Sequence, residues 1–222
     1  MIIGNGMLAH ALRKYDRAEI LFFASGVSNS LETDRSEFRR EIALLKSVSD
    51  QHKDKKLVYF STCSIYDSSK SESPYVQHKI EIEKLISEIS TDFAILRIGN
   101  AVGNGGNPNT LINFLKNAIE KNTKITLHKH AGRILVDADD IAEFTHSYLN
   151  KINNQCIDFA YPYQFTPLEI VLSMEEYLGK KADYETIDEG ARYDMEFRQI
   201  VRDYFKNIAP SDYLKKIFKS YL

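Results

Sequence analysis

The sequence predicts a mostly parallel α/β sheet with helices packed against it and a small lobe at its C-terminal end. Three observations carry that prediction. Short apolar runs alternate with amphipathic stretches along most of the chain, the pattern of strands and helices taking turns in a parallel sheet. The first run, Met1-Ile2-Ile3, meets Gly4-Asn5-Gly6-Met7-Leu8-Ala9, a G-x-G-x-x-A turn that opens a helix-like pattern. A central run, Leu57-Val58-Tyr59-Phe60, ends in a cluster of hydroxyls and leads into a helix with a capped start.

Composition narrows the class. The 222 residues suffice for one generous domain, or for a domain with a small lobe. Hydrophobic residues make up 43%, so a sizeable core is available, and the formal net charge of −2 gives no basic excess to suggest a nucleic-acid partner. No apolar run approaches the length of a membrane span, and the N-terminus lacks the charge pattern of a signal peptide. Cys63 and Cys156 stand far apart and without partners at metal-ligand spacing. A soluble, reduced, cytoplasmic setting without a metal is the expectation.

The elements follow in order. In a dinucleotide-binding turn the first glycine makes the bend, the second lets a pyrophosphate approach the backbone, and the third small residue packs helix on strand. Gly4, Gly6 and Ala9 hold those places, with Asn5 and Met7 between and after the glycines. Ile20-Leu21-Phe22-Phe23 is the next strand, running into the small residues Ala24, Ser25 and Gly26, which suit a close backbone approach to a ligand as well as a plain loop. No acid sits at that strand's end; Asp16 and Glu19 precede it. Asp34 to Ser49 reads as an amphipathic helix, Phe93 to Ile98 as a buried strand, and Gly99 to Pro108 as a Gly/Asn loop of the kind that holds ligands. A helix from Asn109 to Glu120, a strand-like Ile125 to His128, and Arg133 to Asp137 come next, with Asp139 and Asp140 opening a further helix. Cys156 to Ala160 reads as a strand and Thr166-Pro167 starts a helix. The polar, aromatic-studded segment from Tyr184 reads as helical.

The chemistry gathers after Phe60. Ser61, Thr62, Ser64 and Tyr66 crowd the strand end, and Ser73-Pro74 caps a helix that carries Tyr75 and Lys79 one turn apart on one face. An ammonium near a phenol lowers its ordinary pKa, near 10, and a hydroxyl from the strand end can hold a substrate oxygen beside it. That is acid–base chemistry suited to a carbonyl/alcohol pair. The same Y-x-x-x-K spacing occurs at Tyr66/Lys70, in a Ser-rich loop, and at Tyr177/Lys181, across the helix end expected at Gly179. Only Tyr75 combines a capped helix with the hydroxyl cluster.

These pieces, in this order, resemble the extended short-chain dehydrogenase/reductase family, in particular its sugar-nucleotide epimerases, dehydratases and reductases. The resemblance rests on Gly4-x-Gly6-x-x-Ala9, on Phe60-Ser61-Thr62 through Tyr66, and on Tyr75-x-x-x-Lys79. It also rests on Leu96-Arg97-Ile98-Gly99-Asn100 with Val102-Gly103, and on Arg133 through Asp139-Asp140. It implies a Rossmann-like, doubly wound domain over residues 1–150 and a substrate-binding lobe over 151–222 that packs with the loop 99–135. It implies that Tyr75 donates or accepts the proton, that Lys79 binds the nicotinamide ribose and tunes Tyr75, and that Thr62 holds the reacting oxygen. Gly4, Asn5, Gly6, Met7, Ala24, Ser25 and Gly26 would join Tyr75 and Lys79 in holding NAD or NADP. Asn100 and Arg133 would contact the nucleotide part of the substrate, and Ser64 would also bind the substrate.

Departures narrow the reaction. Relatives that eliminate water place an acidic pair after the threonine, where this chain has Cys63-Ser64. Relatives that epimerise a keto sugar at two carbons use a cysteine in the slot that Ser64 takes here. Hydride transfer at one carbon survives: a keto-sugar reductase or a C4 epimerase serving polysaccharide synthesis, with a non-catalytic sugar-nucleotide binder as the competing class. The family's two further strands before the run at Ile20 have no room in this chain, so the sheet should be truncated at one edge. Without an acid for the adenosine ribose, weak cofactor binding with poor NADH/NADPH discrimination is expected. The apolar helix from Pro74 to Ser90 resembles the surface through which relatives pair, implying a homodimer.

Overall fold

The computed structural model describes residues 1–105 and 110–222. Its first half runs β1 (Ile2–Ile3), α1 (Met7–Leu12), β2 (Ile20–Phe23), α2 (Arg35–Gln51), β3 (Lys56–Thr62), α3 (Pro74–Ile89) and β4 (Phe93–Ile98). The middle holds β5 (Asn100–Val102), α4 (Leu111–Glu120), β6 (Ile125–His128), β7 (Leu135–Asp137) and α5 (Ala138–Tyr148). The chain closes with β8 (Gln155–Phe159), α6 (Pro167–Leu178), β9 (Tyr184–Ile187), α7 (Gln199–Phe205) and α8 (Pro210–Tyr221). Among the described residues none of these helices is long and apolar enough to cross a membrane.

Five of the strands form one parallel sheet in the order β1-β2-β3-β4-β8, with β5–β7 and β6–β9 as parallel pairs beside it. β1 is an edge, as the truncation predicts. The sheet is covered on both faces, which is why its strands read as unbroken apolar runs. Ile20, Phe22, Val58, Phe60, Ala94 and Leu96 turn to the face that holds Leu12 of α1 and Ile141 and Phe144 of α5. Leu21, Phe23, Leu57, Tyr59, Phe93 and Ile95 turn to the other, against Leu45 and Val48 of α2 and Ile82 and Ile86 of α3.

That division has a topological result. The steps β1 to β2, β2 to β3 and β3 to β4 all move the same way across the sheet, yet α1 crosses on one face and α2 and α3 on the other. The first crossover therefore has the opposite hand to the next two. Right-handed connections account for about 98% of such units, so the β1-α1-β2 unit is the left-handed exception.

Helix starts follow their local chemistry. Ser73 Oγ accepts from Val76 N at 3.3 Å with Pro74 in the first turn, and Thr166 and Glu169 form a reciprocal capping box. Gly179 ends α6 at φ 63, so Tyr177 and Lys181 do not share a helix, and Tyr66 lies in a short 3-10 turn over Cys63–Tyr66. Three details differ from the sequence reading. Asp137 caps α5, its carboxylate accepting from Asp139 N at 2.9 Å, so Asp139 and Asp140 fall in the first turn. The segment from Tyr184 begins as a strand, because β6 offers it an open edge. β8 lies beyond the boundary expected at residue 150 yet supplies the sheet's fifth strand. Within the expected Gly/Asn loop and the helix start after it, residues 106–109 lie outside the described residues.

The C-terminal segments are not loosely attached. Phe159 of β8 stacks on Phe144 at 4.1 Å and on Phe205 at 5.5 Å, while Tyr161 stacks on Tyr213 at 4.2 Å. Asp140 accepts from Tyr213 Oη at 2.8 Å and from Lys216 Nζ at 2.5 Å, tying α8 to the start of α5.

Candidate active site

The strand end and α3 bring the predicted trio together. Thr62 is extended, and its Oγ1 accepts from Ser64 N at 3.0 Å as the chain turns into the 3-10 segment. Tyr75 and Lys79 face inward from the first turns of α3, 8% and 2% exposed. Burial raises the Tyr75 hydroxyl to about 12, with a hydrogen bond to Thr62 working against the rise and the charge of Glu41 adding to it. The expected lowering by Lys79 is absent for a geometric reason. The ammonium lies 5.8 Å from the centre of the Tyr75 ring and is committed elsewhere, to Glu41 Oε1 at 3.2 Å and Tyr59 Oη at 2.8 Å.

Glu41 was not singled out by the sequence. It is fully buried, and accepts from Val27 N at 2.6 Å, Tyr59 Oη at 2.6 Å and Lys79, with His78 Nε2 2.9 Å away. Burial alone would raise its carboxyl, but His78, Lys79, Tyr59 and the Val27 amide together bring it down to about 2. Burial lowers the Lys79 ammonium, opposed by Glu41.

The glycine turn sits beside this cluster. Gly4 has φ +130, and any Cβ there would run into the carbonyl of Ala24, so only glycine lets the ends of β1 and β2 close up. Above Gly6 nothing comes within 4 Å of a Cβ position, which leaves its backbone open to a ligand. Asn5 Oδ1 accepts from Arg13 Nη2 at 3.1 Å beside the turn, whereas Lys14 turns away to Asp139 at 3.1 Å. Met7 packs against Gly103, and a Cβ on Gly26 would lie 2.8 Å from Lys79 Nζ and 2.7 Å from Glu41 Oε1. The Ala24-Ser25-Gly26 segment therefore passes directly over the buried ion pair. The open backbone at Gly6 and this closely laid segment fit a pyrophosphate-bearing dinucleotide.

The predicted substrate residues lie along the far side. Asn100 Oδ1 is buried without a hydrogen-bond partner among the described residues, and an unpaired buried acceptor costs about 1–3 kcal/mol that a ligand donor would relieve. Between Ser64 and the charge of Arg133 stands Tyr193, a residue the sequence reading missed. Burial raises the Tyr193 hydroxyl to about 12, with Arg133 and a hydrogen bond to Ser64 working against it. Gln164 grips both backbone groups of Tyr193 at 2.8 Å, fixing an otherwise irregular segment over the site. Behind the strand end, Arg97 forks onto Glu83 at 2.6 and 2.9 Å, Ser61 Oγ donates to Glu83 at 2.5 Å, and Tyr66 Oη bridges to Asp158.

Residues 8–158 match the family model described as the NAD dependent epimerase/dehydratase family; the matched span begins after Gly4 and Gly6. No curated protein matches the chain. Among solved structures, it is similar to a dTDP-glucose 4,6-dehydratase from Bacillus anthracis in complex with NAD, at 17% identity and TM-score 0.71, over 96% of this chain and 75% of that one. A UDP-glucuronic acid 4-epimerase mutant from Bacillus cereus in complex with NAD matches at 17% identity and TM-score 0.73, over 96% and 77%. RMD from Pseudomonas aeruginosa complexed with NADPH matches at 12% and 0.68, over 91% and 80%. At these identities the structural likeness speaks for the fold, and the family model, spanning well over half of the chain, speaks for membership. The chain belongs to the NAD dependent epimerase/dehydratase family and is an enzyme of that type.

Proposed function

We propose that the chain reduces the keto group of a nucleotide-linked (deoxy)sugar with NAD(P)H, in the assembly of a surface polysaccharide in the cytoplasm. The observation that carries this reading is the Tyr75 hydroxyl, kept protonated by burial and hydrogen-bonded to Thr62 at the strand end. Asn100, Arg133 and Ser64 hold the substrate, the first through its buried carbonyl oxygen, unpaired among the described residues. When bound, the nicotinamide supplies the hydride. Thr62 holds the carbonyl oxygen, Tyr75 delivers its proton to that oxygen, and the backbone at Gly4 to Met7 and Ala24 to Gly26 carries the dinucleotide. The absence of an acidic pair after Thr62 supports reduction over water elimination.

Tyr75→Phe is expected to lower turnover by at least about a hundredfold, the low end for general acid catalysis. The assay follows NAD(P)H absorbance with a panel of keto-sugar nucleotides. Near-normal turnover in the variant would sink the role of Tyr75. Interconversion of sugars without net cofactor loss would mark a C4 epimerase instead. We also propose a homodimer through α3, on which Ile80 and Ile89 remain 43% and 37% exposed. Light scattering at micromolar concentration should return twice the 25.5 kDa chain mass; a monomer mass would contradict it.

A further inference from the structure

We infer that Glu41 is a positioning residue that neutralises Lys79 and thereby keeps Tyr75 a proton donor, fitting the site to carbonyl reduction rather than to alcohol oxidation. This rests on the reading of Tyr75 and Lys79 as the reacting pair. A lysine lowers the pKa of a nearby phenol only through charge that nothing else cancels. Here the counter-charge is built in: Glu41 Oε1 stands 3.2 Å from Lys79 Nζ, and Tyr59 Oη accepts a second proton of the ammonium at 2.8 Å. Both members of the pair are buried, so water does not screen them apart. The ammonium stands 5.8 Å from the centre of the Tyr75 ring.

Packing alone does not call for an acid at position 41. Phe38, Leu45 and Val48, on the same stripe of α2, are apolar and meet the protein interior. Yet Glu41 is met by donors from every element around it: Val27 N from the loop after β2, Tyr59 from β3, and His78 and Lys79 from α3. Around Tyr75 the charged and titratable groups are Glu41 from α2, Tyr59 from β3, Cys63 from the turn after β3, and Lys79 on its own helix, with the Thr62 hydroxyl in contact. Glu83 on α3 adds negative charge near Lys79 and Tyr59.

The two directions of the reaction start from different protonation states of Tyr75. The carbonyl carbon accepts a hydride, two electrons and one proton, from the reduced dinucleotide. The displaced π pair on oxygen takes the Tyr75 proton, giving the alcohol, and the tyrosinate left behind recovers a proton from water. The reverse reaction needs Tyr75 ionised before it begins, which a neutralised lysine does not favour.

The test is a titration of the ligand-free chain labelled with 13C at the tyrosine ζ-carbon, the Tyr75 signal being assigned by its loss in Tyr75→Phe. In the wild type that signal should hold its phenol position past pH ~10, the ordinary tyrosine value. Glu41→Gln should lower its midpoint by about one pH unit, tenfold in the ionisation constant. The double variant Glu41→Gln/Lys79→Met removes both charges, is the gentler change for a buried pair, and should leave the midpoint within about 0.3 of wild type on a double-mutant cycle. A rise of one unit or more in the double variant would show that the Lys79 charge reaches Tyr75 uncompensated, and would overturn the inference. An unchanged midpoint in folded Glu41→Gln would do the same. Because the titration uses no substrate, an inactive or fully active Tyr75→Phe bears on the proposed reaction alone.

Discussion

Replacing Glu41 by glutamine should expose how much of the fold's stability depends on one buried carboxylate. Its folded value of about 2 compares with an ordinary 4.5. A difference of that size is worth on the order of 3 kcal/mol by linkage. Because the folded value is depressed, the contribution is fully present above the unfolded value and is lost as pH falls through the folded one. Independent reasoning gives a similar size, since removing one partner of a buried ion pair costs about 3–5 kcal/mol. For a chain of this length each kcal/mol moves the thermal midpoint by about 2–4 °C. Glu41→Gln should therefore melt roughly 6–12 °C below wild type at pH 7. Urea melts at pH 7, 5 and 3 provide the decisive comparison. The gap between the two proteins should shrink by about 2 kcal/mol between pH 7 and pH 3, as the carboxylate of the unfolded wild type takes up a proton that the folded one still refuses. Other carboxylates titrate in both proteins and largely cancel in the difference. A gap that stays constant across that range would refute the account of Glu41 as an ionised, donor-saturated group.

Two further substitutions probe the frame around the site. Gly4→Ala combines a disfavoured φ of +130 with a Cβ driven into the Ala24 carbonyl; it should cost about 2–5 kcal/mol in urea melts, and a loss below about 1 kcal/mol would show that β1 shifts freely. Glu83→Gln leaves Arg97 with Asp158 at 3.8 Å and Tyr66 as its partners; a loss of about 2–3 kcal/mol is expected, and an unchanged urea midpoint would mean that the fork onto Glu83 contributes nothing net.

Most of the sheet was legible because each strand is buried on both faces and so reads as a plain apolar run, as at Ile20–Phe23 and Leu57–Phe60. The start of α3 was legible from Ser73-Pro74, whose local chemistry needs no tertiary partner. What escaped was the counter-ion. Glu41 follows Arg39 and Arg40, and a charged cluster reads as a solvated helix face. Yet Glu41 lies three residues after Phe38 and four before Leu45, on the apolar stripe itself, and an acid at such a position was the available signal. Tyr59 hid in the same way, as one more aromatic in a buried run, although its hydroxyl had to find a partner. Tyr193 carried no local signal at all. It sits in an irregular segment held by Gln164, a contact between residues 29 positions apart. The lowering of the Tyr75 value expected from Lys79 failed for the same cause as the oversight of Glu41: helical spacing places a lysine near a phenol but says nothing of what else binds it.

The left-handed passage from β1 to β2 has one more consequence. In doubly wound sheets ligands bind where neighbouring strands send their connections to opposite faces, because the diverging loops open a crevice at the carboxyl ends of those strands. Such a crevice is ordinarily produced by a reversal of strand order, and this sheet, running β1-β2-β3-β4-β8, contains no reversal. The divergence nevertheless survives between β1 and β2, since α1 leaves toward one face and α2 toward the other. Moving α1 across the sheet would restore the common hand of the crossover and remove that divergence. The uncommon handedness is thus the geometric condition under which a shortened sheet keeps diverging connections at its strand ends.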